Sequence, residues 1–285
     1  MSNVYREVLH SHWGQTYDVD NVLFELQTGH QHLVIFENKR FGRVMALDGA
    51  IQTTQKDEFI YHEMMVHVPL FSHPNPKKVL IIGGGDGGIL REVLRHKNVE
   101  SVTQVEIDGA VIDMCVKYFP EHSSGAYDNP RANIVIDDGF KFVKDCQEKF
   151  DVIISDSTDP QGPGEVLFTE DFYRFEKNCL NEGGIMVAQN GVPFMQMGEV
   201  INTKLRLKDL YEDTYFYLAA VPTYVGGFMT LAWATDDQRL RNIDINILEQ
   251  RFSQSGIKTR YYNPAIHKAA FALPQFVLDE LSKLS

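Results

Sequence analysis

The chemistry in this sequence rests on carboxylates placed where apolar runs end. The run VLIIGGGDGG (79–88) puts Asp86 inside a glycine-rich turn that contains Gly83 and Gly85, and the pattern LREVLRH just after it reads as a helix. A turn opening onto a helix N-terminus leaves room for a nucleoside-sized ligand. A loop that cradles phosphates avoids fixed negative charge, whereas a loop that holds a cation welcomes it. Asp86 therefore points to a cationic nucleoside rather than a dinucleotide. Glu106 ends VTQVEI about 20 residues later, where an acidic side chain accepts hydrogen bonds from both ribose hydroxyls. Asp138-Gly139 follows ANIVI. Its carboxylate is placed to accept the adenine amino group, with a plain turn before a helix as the alternative. Asp156 and Asp159 leave the run FDVIISD together, inside ISDSTDPQGPGE. Two neighbouring carboxylates repel each other unless a cation or a proton intervenes. Pro160, Gly162, Pro163 and Gly164 stiffen and shape the loop beyond them, and a lid over 159–168 is expected.

Other residues are weaker signals. Tyr61-His62-Glu63 starts like a zinc-protease helix, but the next histidine, His67, is five residues from His62 instead of four, so no zinc site is expected. His10, His12, His30 and His32 lack metal-ligand spacing and read mostly as ordinary histidines. Tyr61 and Tyr224 offer an aromatic face and a hydroxyl to an ammonium group, or pack in the core; composition does not decide.

The elements that must position these groups can be read from hydrophobic period. HLVIFEN (32–38) reads as a strand, and RVMALDGAIQTT (43–54) as two strands around the tight-turn pair Asp48-Gly49. From Asp57 the period changes: Ile60, Met64 and Val68 are four apart, as on one helix face. Strands and helices then alternate: VLIIGG and GILREVLRH, VTQVEI and GAVIDMCVKYF, ANIVI and a short helix over 140–146, FDVIISD and TEDFYRFEKNCL, GGIMVAQN and a helix over 199–210. TYFYLAAV and FMTLAWAT read as the last strands. Such alternation implies an α/β fold, a doubly wound, mostly parallel sheet covered on both faces. Ligands of such sheets sit at the carboxyl ends of the strands, where Asp86, Glu106, Asp108, Asp137, Asp138, Asp156 and Asp159 all fall. The expected division is an N-terminal antiparallel β domain over 1–55 and a catalytic domain over 56–285.

The 285 residues provide ample core, and no apolar run approaches the roughly 18 residues of a membrane span. A net charge of −12 with no basic stripe argues against nucleic acid as a partner and suits a cationic substrate. The N-terminus lacks a secretory pattern, and Cys115, Cys146 and Cys179 form no CxxC pair, so a reduced cytoplasm is the expected setting.

Taken together, FGRVMALDGAIQTTQKDEFIYHEMM, GGGDGG, VEID, DDG, DSTDPQGPGE, YVGG and RYYNPAIHKAAFALPQF make nearly the whole chain resemble the spermidine synthase, or polyamine aminopropyltransferase, family. The resemblance implies a Rossmann-like, methyltransferase-type sheet. It also implies transfer of a 3-aminopropyl group from decarboxylated S-adenosylmethionine, a co-substrate, to putrescine, yielding spermidine and methylthioadenosine without a metal. Position by position, Asp156 matches the proton acceptor and Asp159 a polyamine-binding carboxylate. His62 and Asp86 match contacts to the polyamine or the aminopropyl amine. Gln31, Glu106, Asp138, Gly139 and Pro163 match contacts to the thioadenosine part, and Gln52, Tyr61 and Tyr224 look like further amine-site residues. Gly88 stands where many members carry another small residue, an exchange expected to be harmless. A homodimer is implied.

This chemistry needs a neutral amine. A primary amine with a pKa near 10 is neutral roughly once in a thousand at pH 7, a cost on the order of 4–5 kcal/mol. An ordinary aspartate is a weak base, so Asp156 must be desolvated or act through an ordered water. Asp86 would pair the ammonium of the decarboxylated donor and repel the carboxylate of the intact one. The alternatives are a diamine N-methyltransferase on the same scaffold, a dinucleotide oxidoreductase, and a non-catalytic polyamine sensor.

Overall fold

A computed structural model describes residues 3–7, 9–158 and 162–284, without the side chains of Asn3, Gly162, Pro163 and Glu165. A hairpin of β1 (Asn3–Arg6) and β2 (Thr16–Val19) precedes the antiparallel sheet β3 (Asn21–Gln27), β4 (His32–Asn38), β5 (Gly42–Leu47) and β6 (Ala50–Thr54). The β5–β6 turn has positive φ at both Asp48 (46°) and Gly49 (89°), the geometry that an Asp-Gly hairpin favours. Alternation along β4 buries both faces. Leu33 and Ile35 pack with Val111, Cys115 and Phe119, while Val34 and Phe36 pack with Tyr17 of the hairpin.

The helix α1 (Glu58–Ser72) then opens the α/β part: β7 (Lys78–Gly83), α2 (Gly88–Leu94), β8 (Ser101–Glu106), α3 (Gly109–Tyr118), α4 (Pro120–Ser123), β9 (Ala132–Ile136), α5 (Gly139–Asp145) and β10 (Phe150–Asp156). After a 3-10 segment (Gly162–Phe168) come α6 (Glu170–Cys179), β11 (Leu180–Gln189), α7 (Pro193–Leu207), β12 (Asp213–Ala219) and β13 (Met229–Thr235). Four helices close the chain: α8 (Gln238–Arg241), α9 (Ile245–Ser255), α10 (Pro264–Ala270) and α11 (Gln275–Ser282). The sheet order is β12-β13-β11-β10-β7-β8-β9, parallel from β11 to β9, with β13 antiparallel to both β11 and β12. The chain steps from β7 outward to β9 and returns to β10 on the other flank of β7. The crevice therefore opens at the carboxyl ends of β7 and β10, the switch point of the sheet.

The expected strands and helices of the α/β part all form, with three differences. First, α7 begins at Pro193, earlier than the pattern suggested, because proline fits the first turn, and it carries a non-helical Gln196 (φ −129°, ψ 38°). Second, β1, β2 and β3 went unread; β3 lies at the sheet edge and is largely exposed, so it lacks an apolar alternation. Third, α1 is not a one-faced helix: every residue from Ile60 to Ser72 is buried. It runs between the sheet and α2 and α9, so its polar side chains must find partners inside the protein.

Glu63 shows how. Its carboxylate accepts the backbone N–H groups of Arg260, Tyr261 and Tyr262, each at 2.8 Å, and is 2% exposed. These three bonds dock the segment before α10 onto α1, and among the described residues no other group takes up those N–H donors. We expect Glu63→Gln to turn an amide NH2 toward donors and destabilise the fold by about 2–3 kcal/mol. Urea unfolding checks this, and an unchanged midpoint would refute the anchoring.

Candidate active site

The switch-point crevice is a cavity lined from both parts of the chain. On its floor, β7 and β10 run in register with Asp156 beside Gly83. Gly83 has φ +81°, and a Cβ there would lie 2.0 Å from the Asp156 carbonyl oxygen. Only glycine lets β7 turn away so close to its neighbour. The next amide, that of Gly84, donates to the same carbonyl at 3.2 Å. The glycine turn and Asp156 are thus one assembly.

Asp156 Oδ1 accepts the hydroxyl of Tyr61, from α1, at 2.5 Å. Its Oδ2 makes no hydrogen bond among the described residues, and the residue lines the cavity. Burial, with the nearby charge of Asp86 adding to it, pushes the Asp156 carboxyl up to about 6, against the opposing pull of Tyr61 and His62. Burial also raises the Tyr61 hydroxyl well above its ordinary value, so Tyr61 is a neutral donor. Tyr61 meets Tyr224 edge-on, with centroids 5.8 Å apart, and the Tyr224 hydroxyl donates to the carbonyl of Gln52 at 2.8 Å. Tyr61, Tyr224 and Gln52 therefore form one wall of the cavity.

Asp86 is not the lone anion that its place in the loop suggested. Its Oδ1 accepts the Gly88 amide at 2.9 Å, and its Oδ2 lies 3.1 Å from His62 Nε2. Burial disfavours its charge, but His62 outweighs that and holds the carboxyl well below the usual carboxylate range. Burial likewise opposes charge on His62, yet Asp86 and Glu58 raise the imidazole to about 10. Asp86 and His62 therefore form a buried ion pair beside the glycine turn.

Glu106, Gln31, Asp138 and Gly139 also line the cavity. Glu106 Oε1 accepts the Asp108 amide at 2.9 Å, and burial pushes its carboxyl up to about 7. Gln31 reaches the same corner, its Nε2 donating to Asp108 Oδ2 at 3.2 Å. Asp138 Oδ1 caps α5 by accepting Phe140 N at 2.8 Å, as the turn reading has it, and the residue also lines the cavity beside Gly139. Asp137 instead turns outward to Lys141 at 3.2 Å.

The cavity brings together Gln31, Gln52, Tyr61, His62, Gly83, Gly85, Asp86, Glu106, Asp138, Gly139, Asp156 and Tyr224. Asp159 lies outside the described residues, and so does the side chain of Pro163; the backbone of Pro163 belongs to the 3-10 segment. The lid expected over 159–168 falls partly outside them as well. Two histidines read as ordinary, His10 and His30, line the cavity; their sequence spacing carried no signal for this. Gln189 was missed, although it ends β11 and the rule that found Glu106 applies to it equally. His67 turns away from the cavity, with its ring 3.0 Å from His96 Nε2 and from Glu92 Oε2. Among the described residues no helix is long and apolar enough to cross a membrane.

Comparison with known proteins gives the same outline. Residues 58–244 match the family model of the spermine/spermidine synthase domain, and residues 4–55 match that of the spermidine synthase tetramerisation domain. The chain is 61% identical over 279 residues to polyamine aminopropyltransferase 1 of Pseudomonas aeruginosa, covering 98% of each chain. It is 60% identical to the polyamine aminopropyltransferase of Serratia proteamaculans, covering 98% of this chain and 97% of that one. A crystal structure of spermidine synthase in complex with the transition-state analogue AdoDATO superposes with a TM-score of 0.94 at 42% identity, over 99% of this chain and 95% of that one. The Thermotoga maritima spermidine synthase gives 0.92 at 41% identity, over 99% and 94%.

Glu106 makes the stability of the fold sensitive to pH. Its folded value of about 7 exceeds the ordinary 4.5, so the folded state favours the protonated acid. The penalty for ionising it grows as pH rises from about 4.5 to about 7, reaching about 3 kcal/mol. We expect Glu106→Gln to melt above the wild type at pH 8 and together with it at pH 4.5 in the absence of ligand. A pH-independent difference in Tm would contradict this.

Proposed function

The chain belongs to the spermine/spermidine synthase family, and we propose that it moves a 3-aminopropyl group from decarboxylated S-adenosylmethionine to putrescine, yielding spermidine and methylthioadenosine. The observation that carries this reading is that one cavity is lined both by Glu106 and Asp138, expected at a nucleoside, and by Asp156, Tyr61 and Asp86, expected at an amine.

In this reading Glu106 accepts the ribose hydroxyls, Asp138 and Gly139 receive the adenine, and Gln31 and Pro163 complete the thioadenosine site. Gly83 and Gly85 let the backbone approach the sulfonium. Asp86, with His62, meets the amine of the aminopropyl chain or of the polyamine. Gln52, Tyr61, Tyr224 and Asp159 hold the diamine.

The donor is already activated as a sulfonium. The amine nitrogen forms a bond to the carbon beside sulfur as the carbon–sulfur bond breaks, and the electron pair stays on sulfur as the neutral thioether. The protein must align the two and remove a proton from the amine. In this reading Asp156, which lines the cavity, is the acceptor, through the Oδ2 that Tyr61 leaves unbonded. Burial lifts its carboxyl from the ordinary 3.8 to about 6, which narrows the mismatch with the amine by about 3 kcal/mol. The remaining cost falls to desolvation of the ammonium in the closed site. Tyr61 fixes the carboxylate through Oδ1 and leaves the second oxygen for the proton.

The same reading divides the chain into an N-terminal β domain (1–55) and a catalytic domain (56–285) and places it in the cytoplasm as a homodimer. The two family models part between residues 55 and 58, and the description of the first supports an oligomer.

Incubation with decarboxylated S-adenosylmethionine and a panel of diamines tests the function. Mass spectrometry should show an added aminopropyl group with putrescine, and an added methyl group or no product would refute it. Asp156→Asn should lower the single-turnover rate about 100-fold or more, while a near-normal rate would remove Asp156 as proton acceptor. In the wild type, kcat/KM should climb with pH through about 6 as Asp156 ionises.

A further inference from the structure

One carboxylate beside the cavity has no part in the proposed transfer, although it is tied to the site. Glu58 lies in the first turn of α1, four residues before His62, and its side chain is 10% exposed. Its Oε2 lies 2.6 Å from His62 Nδ1 and accepts Arg91 Nη2 at 2.9 Å. On the opposite side of the ring, His62 Nε2 lies 3.1 Å from Asp86 Oδ2. Each ring nitrogen thus faces a carboxylate oxygen. A neutral imidazole can donate to only one of them and would turn a lone pair toward the other, so the geometry requires the imidazolium.

Arg91 makes this arrangement rigid. Its Nε donates to Glu92 Oε1, and its Nη1 donates to the carbonyls of Glu121 and His122, so one guanidinium joins α1, α2 and α4. The His62 ring also lies flat against the glycine turn. A Cβ at Gly88 would sit 2.2 Å from the ring, so the exchange expected to be harmless would displace His62 in this chain. We propose that Glu58 is a positioning residue for the transfer: held by Arg91, it orients the His62 imidazolium, which fixes the Asp86 carboxylate where the ligand amine meets it. This rests on the function proposed for the chain, in which Asp86 receives an ammonium. Asp86 is then set by a bond on each oxygen and presents its remaining lone pairs at a fixed angle.

The groups facing His62 are Glu58 and Tyr61 from α1, Asp86 from the glycine turn, Arg91 from α2, His122 from α4 and Asp156 from β10. Asp86 and Glu58 favour the ring charge, and burial opposes it, with a balance at about 10. Glu58 itself is held down at about 2, where burial is outweighed by His62 and Arg91.

Two measurements on the intact enzyme test this. Nitrogen NMR of histidine-labelled protein, with His62 assigned from a His62→Gln spectrum, should show a doubly protonated ring at pH 8 in the wild type. In Glu58→Gln its titration midpoint should drop by about one unit or more. The Kd of Glu58→Gln for decarboxylated S-adenosylmethionine should rise about tenfold, while that for methylthioadenosine, which lacks the amine, stays within about twofold. A singly protonated His62 at pH 8 in the wild type would overturn the proposal, whatever the variant does. So would a Glu58→Gln protein with an unchanged midpoint and unchanged donor affinity. Wild-type enzyme that binds neither adenosyl compound would overturn the functional reading and the proposal with it.

Discussion

Asp156 ends a buried strand at the switch point of the sheet, and the rest of the site is arranged around raising the proton affinity of that half-buried carboxylate. A carboxylate in the open is too weak a base for an amine. Out of water it gains proton affinity, at a cost the fold must carry elsewhere. Gly83 lets β7 turn away while its backbone stays against the Asp156 carbonyl, where any Cβ would clash. Tyr61 then closes one oxygen from the α1 side. The position of α1 depends in turn on Glu63 and the three amides it holds. Three consecutive residues, Tyr61, His62 and Glu63, thus point to the base, to the glycine turn and to the C-terminal segment.

The cavity is acidic, but its negative charge is not all available. Asp86 is paired with His62, and Glu106 holds a proton over much of the neutral range. This division suits a cationic guest. Fully ionised carboxylates packed so closely would repel one another and unfold the rim. One charge is instead balanced by an imidazolium, and another carboxyl, that of Glu106, has its proton affinity raised by burial.

Much of this could be read from the sequence because parallel sheets impose a simple rule. Their strands are near-continuous apolar runs, and their ligands sit at the carboxyl ends, so Asp86, Glu106, Asp138 and Asp156 announced themselves as charges on the ends of such runs. The Asp48-Gly49 hairpin was equally plain. Groups whose roles come from distant packing stayed hidden. The Glu58–His62 pair has ordinary helical spacing, and nothing local says that α1 is buried on all sides. His10 and His30 reach the cavity only because the N-terminal strands fold over it. The edge strand β3 is mostly exposed and has no pattern to read. Asp86 could be read from its loop, but not its counter-charge, because His62 comes from another element.

The central claim is that Asp156 has a raised proton affinity in the folded enzyme. Infrared difference spectroscopy over a pH titration, wild type minus Asp156→Asn, isolates the carbonyl stretch of that single protonated acid. The band should disappear with a midpoint at about 6. A midpoint in the ordinary aspartate range, about 4 or lower, would show a solvated carboxylate and contradict the claim.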